Sequence, residues 1–116
     1  MKMIVAGGRN FNNYTLLEEE LDYLYGLFNS PLEVVCGEAR GADSLGKRWG
    51  LENSLTVHSF PADWEKHGKS AGYVRNAEMA DFANSLVAFW DGKSKGTKMM
   101  IDLALKKGLL VMVVRY

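Results

Sequence analysis

The feature that most constrains this chain is an alternation of two hydrophobic periods. Short apolar runs rich in β-branched residues recur at Met3 to Ala6, Leu32 to Cys36, Leu55 to Phe60, Leu86 to Trp90 and Leu109 to Val114, each of strand length. Helical spacing fills the gaps. Leu17, Leu21, Leu24 and Phe28 step by four, three and four, which puts them on one face of a helix starting near Tyr14 or Thr15. Thr15 and Glu18 stand in capping-box register at its start. Further helices are predicted over about Asp43 to Asn53, Ser70 to Ala83 and Thr97 to Lys107, with Gly108 as the stop of the last. Strand alternating with helix implies parallel strands joined by right-handed crossovers. The expected fold is therefore α/β: a Rossmann-like three-layer sandwich, with a parallel five-stranded sheet and helices on both faces. The final run LLVMVV, apolar at every position, predicts a strand buried on both faces.

Size and composition narrow the classes. The chain has 116 residues, two prolines and no repeat or low-complexity stretch, so a single domain over 1–116 is expected. Its one cysteine, Cys36, excludes a disulfide scaffold, and His58 and His67 fall at no metal-ligand spacing, so neither a metal nor a resident cofactor is expected. No apolar run approaches the roughly 18–20 residues of a membrane span, and the start MKMIVAGGRN lacks the pattern of a signal peptide. We expect a cytoplasmic protein without a membrane partner. Lys plus Arg and Asp plus Glu number 14 each. That balance counts against binding a nucleic-acid backbone, which calls for a basic surface, but not against a small anion.

In a sheet of this kind the ligand crevice lies beyond the carboxyl ends of the strands, where strand order reverses. The loops after three strands are rich in glycine and charge: Gly7-Gly8-Arg9-Asn10, Gly37-Glu38-Ala39-Arg40-Gly41-Ala42-Asp43 and Asp91-Gly92-Lys93-Ser94-Lys95-Gly96-Thr97. A tight strand-to-helix turn accounts for glycine in one such loop. Three of them on one edge, each with Arg or Lys, point to a phosphate-containing ligand held by backbone N–H groups and basic side chains.

Familiar motifs fail in instructive places. Gly41-x4-Gly46-Lys47 nearly matches a phosphate-binding P-loop, but Arg48 stands where a Ser or Thr would hold magnesium. Gly92-x-Ser94-x-Gly96 matches a nucleophile elbow, yet no histidine follows Ser94. Gly7-Gly8 lacks the third glycine of the dinucleotide fingerprint, and no acidic residue is evident at the end of the second strand, which disfavours an ordinary NAD-dependent dehydrogenase.

Five segments in order carry a resemblance. Ile4-Val5-Ala6-Gly7-Gly8-Arg9-Asn10-Phe11, Cys36-Gly37-Glu38-Ala39-Arg40-Gly41-Ala42-Asp43, Phe60-Pro61-Ala62-Asp63-Trp64, Ala71 to Asp81 and Phe89 to Thr97 resemble the YspA/YpsA-related family of the SLOG superfamily. The superfamily includes DprA/Smf proteins, which bind single-stranded DNA, and LOG phosphoribohydrolases, which release a base from a nucleoside monophosphate. The resemblance implies a Rossmann-like fold whose pocket accepts a nucleotide or nucleotide-derived ligand, with a binding or sensing role proposed more often than a reaction. Set against the LOG pattern of an Arg-Lys pair, a Met and P-G-G-x-G-T-x-x-E, the segments Arg75-Asn76, Met79 and Asp91 to Met100 align and Arg75, Gly92, Gly96 and Thr97 match, but the catalytic glutamate falls on Met100, which can neither take a proton nor stabilise an oxocarbenium ion. Asp102 lies two residues on, about 200° round the helix, and is expected to face elsewhere. Asp43, Asp91 and Glu38 are the acids left to replace it, and the sequence selects none of them.

The expected binding site follows. Gly96, Thr97 and Ser94 hold a phosphate at the start of the last helix, and Arg75 bridges it, supported by Asn76 and Asp91. Gly7, Gly8 and Arg9 form the opposite wall, while Gly37, Arg40 and Gly41 bring the second loop to the sugar or base, where Asp43 accepts ribose hydroxyls. Spacing equally allows Arg75 to pair with Glu78 or Asp81 on a solvated face. The polar stretch Asp63 to Ser70 is long enough for a lid, with Trp64 read chiefly as a packing residue and, alternatively, as a stack for a base. Trp49, Phe89, Trp90, Met99, Met100 and Met112 are expected in the core, Cys36 as a small buried residue, and His58 in a satisfied structural contact. The reading favoured is a binding module for a small nucleotide-like ligand. A LOG-like N-glycosidic hydrolase is the alternative, and a single-stranded nucleic-acid binder ranks third. Exposed apolar helix faces suggest a homodimer or larger assembly.

Overall fold

The computed structural model describes residues 1–28 and 30–116. Five strands form one sheet: β1 Lys2–Gly7, β2 Glu33–Cys36, β3 Val57–Ser59, β4 Ser85–Trp90 and β5 Leu110–Arg115. The helices are α1 Tyr14–Leu27, α2 Ala42–Glu52, α3 Trp64–His67, α4 Ala71–Phe82 and α5 Lys95–Lys106, with a 3-10 turn at Gly68–Ser70. Spatial order is β3-β2-β1-β4-β5, every neighbouring pair parallel. This is the expected Rossmann-like α/β sandwich.

Strand residues alternate between two apolar layers. Met3, Val5, Val87 and Phe89 point toward α1 and α2, where Leu17, Leu21 and Trp49 meet them. Ile4, Ala6, Leu86 and Ala88 point the other way, onto Met79, Met100 and Ala104 of α4 and α5. Both faces of the central strands are therefore dry, which is why their sequences show no polar alternation.

Local signals explain the boundaries and correct three expectations. Asn13, not Thr15, caps α1: its Oδ1 accepts from the Leu16 N–H at 3.0 Å, and Thr15 lies inside the first turn. The stretch Asp63 to Ser70 is not an open lid. Asp63 Oδ1 accepts from the Lys66 N–H at 3.1 Å and starts α3, which runs through the 3-10 turn into α4. β5 is not buried on both faces but is an edge strand, with Leu110 53% and Val113 42% exposed. On one face the helix layer centres on β1 and β2, where α2 packs, and β5 lies at its margin. An apolar run records what a strand carries, not how far the layer above it reaches.

The order of strands also fixes where the sheet has its switch point. The chain lays β2 and β3 on one side of β1, then returns to place β4 on the other. Loops leaving β1 and β4 diverge to opposite faces at that switch point, and a crevice opens between them.

Candidate functional site

That crevice is a cavity of about 460 Å³, lined by Gly7, Gly8, Arg9, Asp43, Arg75, Asn76, Asp91, Ser94, Gly96 and Thr97, with Met79, Met99 and Met100 as its apolar part. A second cavity of about 380 Å³ adjoins it and holds Gly37, Glu38, Arg40, Pro61 and Trp64. Arg9, Ala39 and Arg75 line both. All the residues singled out in the sequence thus reach one of the two cavities except Gly41 and Gly92, which stand behind the walls. Gly41 precedes α2 with φ +83°, and a side chain there would meet the carbonyl of Gly8 and the backbone of Arg9 at 2.7 Å. Gly92, also at positive φ, faces the Arg115 guanidinium.

Arg75 and Asp43 form the buried centre of the wall. Asp43, in the first turn of α2, is 6% exposed, with the backbone N–H groups of Ala39 and Gly37 close enough to favour its charged form. Burial pushes its pKa up to about 6, against the pull of Arg75, those two N–H groups and Arg9. Arg75 Nε donates to Asn76 Oδ1 at 2.8 Å, and its Nη1 donates to the Gly37 carbonyl. The alternative pairing with Glu78 or Asp81 is not formed: Asp81 takes Lys107 at 2.7 Å instead. Gly37 is what lets these groups converge, since a Cβ on it would lie 2.6 Å from Arg75 Nη1 and 2.8 Å from Asp43 Oδ2. The next residue, Glu38, sits at φ +60°, a conformation a non-glycine residue rarely holds. Its carboxylate pairs with Lys47 at 3.0 Å.

The loop after β4 uses more of its own donors than the sequence suggested. Asp91 Oδ1 accepts from the N–H groups of Lys93 and Ser94, both at 2.8 Å, and these bonds hold its pKa below the usual carboxylate range. Ser94, not Gly96-Thr97, starts α5. Its Oγ accepts the Thr97 N–H at 3.4 Å and lies 3.1 Å from Thr97 Oγ1. One hydrogen bond joins the two hydroxyls, so one of their protons is still available to a ligand. The Lys95 and Gly96 N–H groups, at the head of the helix, have no intrahelical acceptor by position.

Met100 faces the cavity at 1% exposure, so the position corresponding to the LOG glutamate presents a thioether there. Asp102 points away, bound to Lys98 at 2.9 Å, as its angular offset required. The carboxylates lining the larger cavity are Asp43 and Asp91. Among the described residues no three His, Cys, Asp or Glu side chains converge to hold a metal. Nor is any described helix long and apolar enough to cross a membrane.

Other expectations for single residues divide. Cys36, Trp49 and Phe89 are buried, and His58 Nε2 meets Glu33 Oε1 at 2.7 Å. Trp64 is not chiefly a packing residue, since it is 54% exposed on the second cavity's wall. The segment Pro61-Ala62-Asp63-Trp64 held a signal for it, as a capped turn directly after a strand. Tyr116 was missed altogether. Its hydroxyl lies against Gly8 and its ring packs edge-on to Phe11 at 4.7 Å. A tyrosine just after an apolar strand carries no sequence mark of that placement.

Comparison with known proteins agrees with this arrangement. The model of the YspA, cpYpsA-related SLOG family matches residues 1–67, from β1 through α3. The chain belongs to the YspA, cpYpsA-related SLOG family. Within this SLOG match lie the Gly7-Gly8-Arg9 loop, the Gly37 to Asp43 loop and Trp64. The Gene 61 protein of Mycobacterium phage D29 is 38% identical over 119 residues, an alignment covering 95% of this chain and 93% of that protein. No solved structure matches the chain. Membership of a SLOG family suggests a nucleotide-related ligand.

Proposed function

We propose that the protein binds a nucleotide or phosphoribosyl derivative in the crevice between β1 and β4, as a binding or sensing module. The observation that carries this reading is Arg75, whose guanidinium is fixed by Gly37 and Asn76 at a cavity that Ser94, Gly96 and Thr97 of the α5 start also line. A phosphate there meets a planar, pre-oriented cation and a helix N-terminus at once. Asp43, desolvated and ready to carry a proton near pH 6, is suited to accept or donate to sugar hydroxyls.

Thermal-shift and calorimetric titration with AMP, NAD and a short single-stranded oligonucleotide test the reading. A nucleotide is expected to stabilise the protein, and Arg75→Ala to weaken its binding about 100-fold, the scale of a charge-assisted phosphate contact. Arg75→Lys restores little, because an ammonium cannot reproduce the fork. Unchanged affinity in Arg75→Ala would show the pocket to be wrongly assigned.

One observation favours a second reading, the N-glycosidic hydrolase. Asp43 is a carboxyl group in the same cavity with a pKa raised toward neutrality, as a general acid requires. Chromatography of nucleoside monophosphates incubated with the protein decides between the two: free base that disappears with Asp43→Asn supports turnover, whereas binding without base release supports the sensor.

A further inference from the structure

The crevice proposed for the phosphate accounts for one of two joined cavities. Its neighbour, about 380 Å³, is far larger than a phosphate group needs, and its wall is unlike that of the first. Arg9, Arg40 and Arg75 bring three guanidinium groups to it, with Arg9 and Arg75 standing on the boundary. Among the described residues neither Arg9 nor Arg40 forms an ion pair. The acid of this wall, Glu38, is already matched by Lys47 at 3.0 Å, so the surplus charge is positive. The same cavity is lined by Trp64, 54% exposed although large and apolar. Its backbone is set firmly by Pro61 before it and by the Asp63 cap of α3. An exposed indole beside guanidinium groups that form no ion pair, Arg9 and Arg40, suits a planar ring attached to a phosphate.

We propose that the ligand spans both cavities as a pyrophosphate-bridged compound: a nucleoside within the larger cavity, one phosphate at Arg75 and the α5 start, the other at Arg9, and a second ring-bearing group against Trp64 with Arg40 beside it. This rests on the nucleotide-binding reading and narrows its ligand class. A nucleoside monophosphate occupies the larger cavity alone and leaves Trp64 and Arg40 unused. The two boundary arginines suit a diphosphate because each can hold one phosphate while remaining in reach of the other cavity.

Calorimetry on the intact protein with AMP, ADP and NAD, the last a diphosphate bearing a nucleoside at each end, tests the assignment. NAD is expected to bind at least tenfold more tightly than AMP, with ADP between them. Trp64→Ala is expected to remove about tenfold of the affinity for NAD, the scale of one lost stacking contact, and to leave AMP binding unchanged. Trp64→Phe is expected to restore most of that loss, which a purely structural role for the residue would not require. Equal affinities for AMP and NAD, or an equal loss for both in Trp64→Ala, would overturn the two-cavity ligand and leave nucleotide binding standing. A short single-stranded oligonucleotide that bound more tightly than NAD would also overturn it, since the second cavity would then receive the next nucleotide of a strand. Binding of none of these probes would overturn both readings.

Discussion

Gly41→Ala is expected to destabilise the protein by about 4 kcal/mol, a fall in Tm on the order of 15 °C for a chain of this size. Two costs combine. Gly41 holds φ +83°, where an L side chain is strained by one to two kcal/mol. A methyl there would also strike the Gly8 carbonyl and sit 2.7 Å from Arg9 C and Cα. Those are backbone atoms, so no side-chain rotation relieves the clash. The first loop must move, and with it the Ala42 N–H and Phe11 N–H bonds to the Gly8 carbonyl, 3.3 and 3.2 Å long. Circular dichroism melts check the prediction, and a loss under about 1 kcal/mol would show that the two loops are not locked together in this way. Because Gly41 lines neither cavity, any accompanying loss of ligand affinity reports on wall geometry rather than a missing contact.

The second large effect concerns pH. Burial pushes the Asp43 pKa up to about 6 in the folded protein, against 3.8 for a solvated aspartate, so between those values the native state holds a proton that the unfolded chain has already lost. Between those two values the folded form binds more protons, and stability falls as pH rises. This contribution is fully present below pH 3.8 and is lost as pH climbs through 6; two pKa units correspond to about 3 kcal/mol. Asp43→Asn keeps the shape and removes the titration. Urea unfolding of both proteins at pH 4 and pH 7 is expected to show the wild type losing about 2 kcal/mol relative to the variant over that interval, the remainder being lost below pH 4. Parallel profiles would mean that Arg75, Arg9 and the Gly37 and Ala39 N–H groups offset the burial of Asp43 completely.

The parts of this molecule that were legible in the sequence are those fixed by local periodicity. Five apolar runs became five strands, and the step of Leu17, Leu21 and Leu24 became the inner face of α1, because burial on one side leaves a period that any reader can count. The glycine-rich loops were legible as well, since backbone that bends sharply after a strand needs residues without side chains. What lay beyond reach was set by neighbours distant in sequence. The exposure of β5 depends on how far helices from other parts of the chain extend. The partner of Arg75 is a carbonyl 38 residues away, while the nearby acids that spacing proposed are engaged elsewhere or face solvent. Trp64 looks like any core tryptophan until the turn before it is seen to hold it outward. At the start of α5 two uses of the same side chains compete. Asp91 and Ser94 look like ligand donors and acceptors, but the loop uses them first to satisfy its own N–H groups.

The strand order has a consequence for how the protein is made. β1, emerging first, sits at the centre of the sheet, and Lys2 closes on the Asn84 side chain 82 residues later. Until β4 is synthesised, β1 has β2 alone as a neighbour and the crevice has one wall. Closing so distant a pair is slow, because the loop entropy is lost before the contacts repay it. During synthesis on the ribosome the crevice therefore gains its second wall only when β4 docks on β1, after which α5 and β5 complete the sheet and the layer beside it.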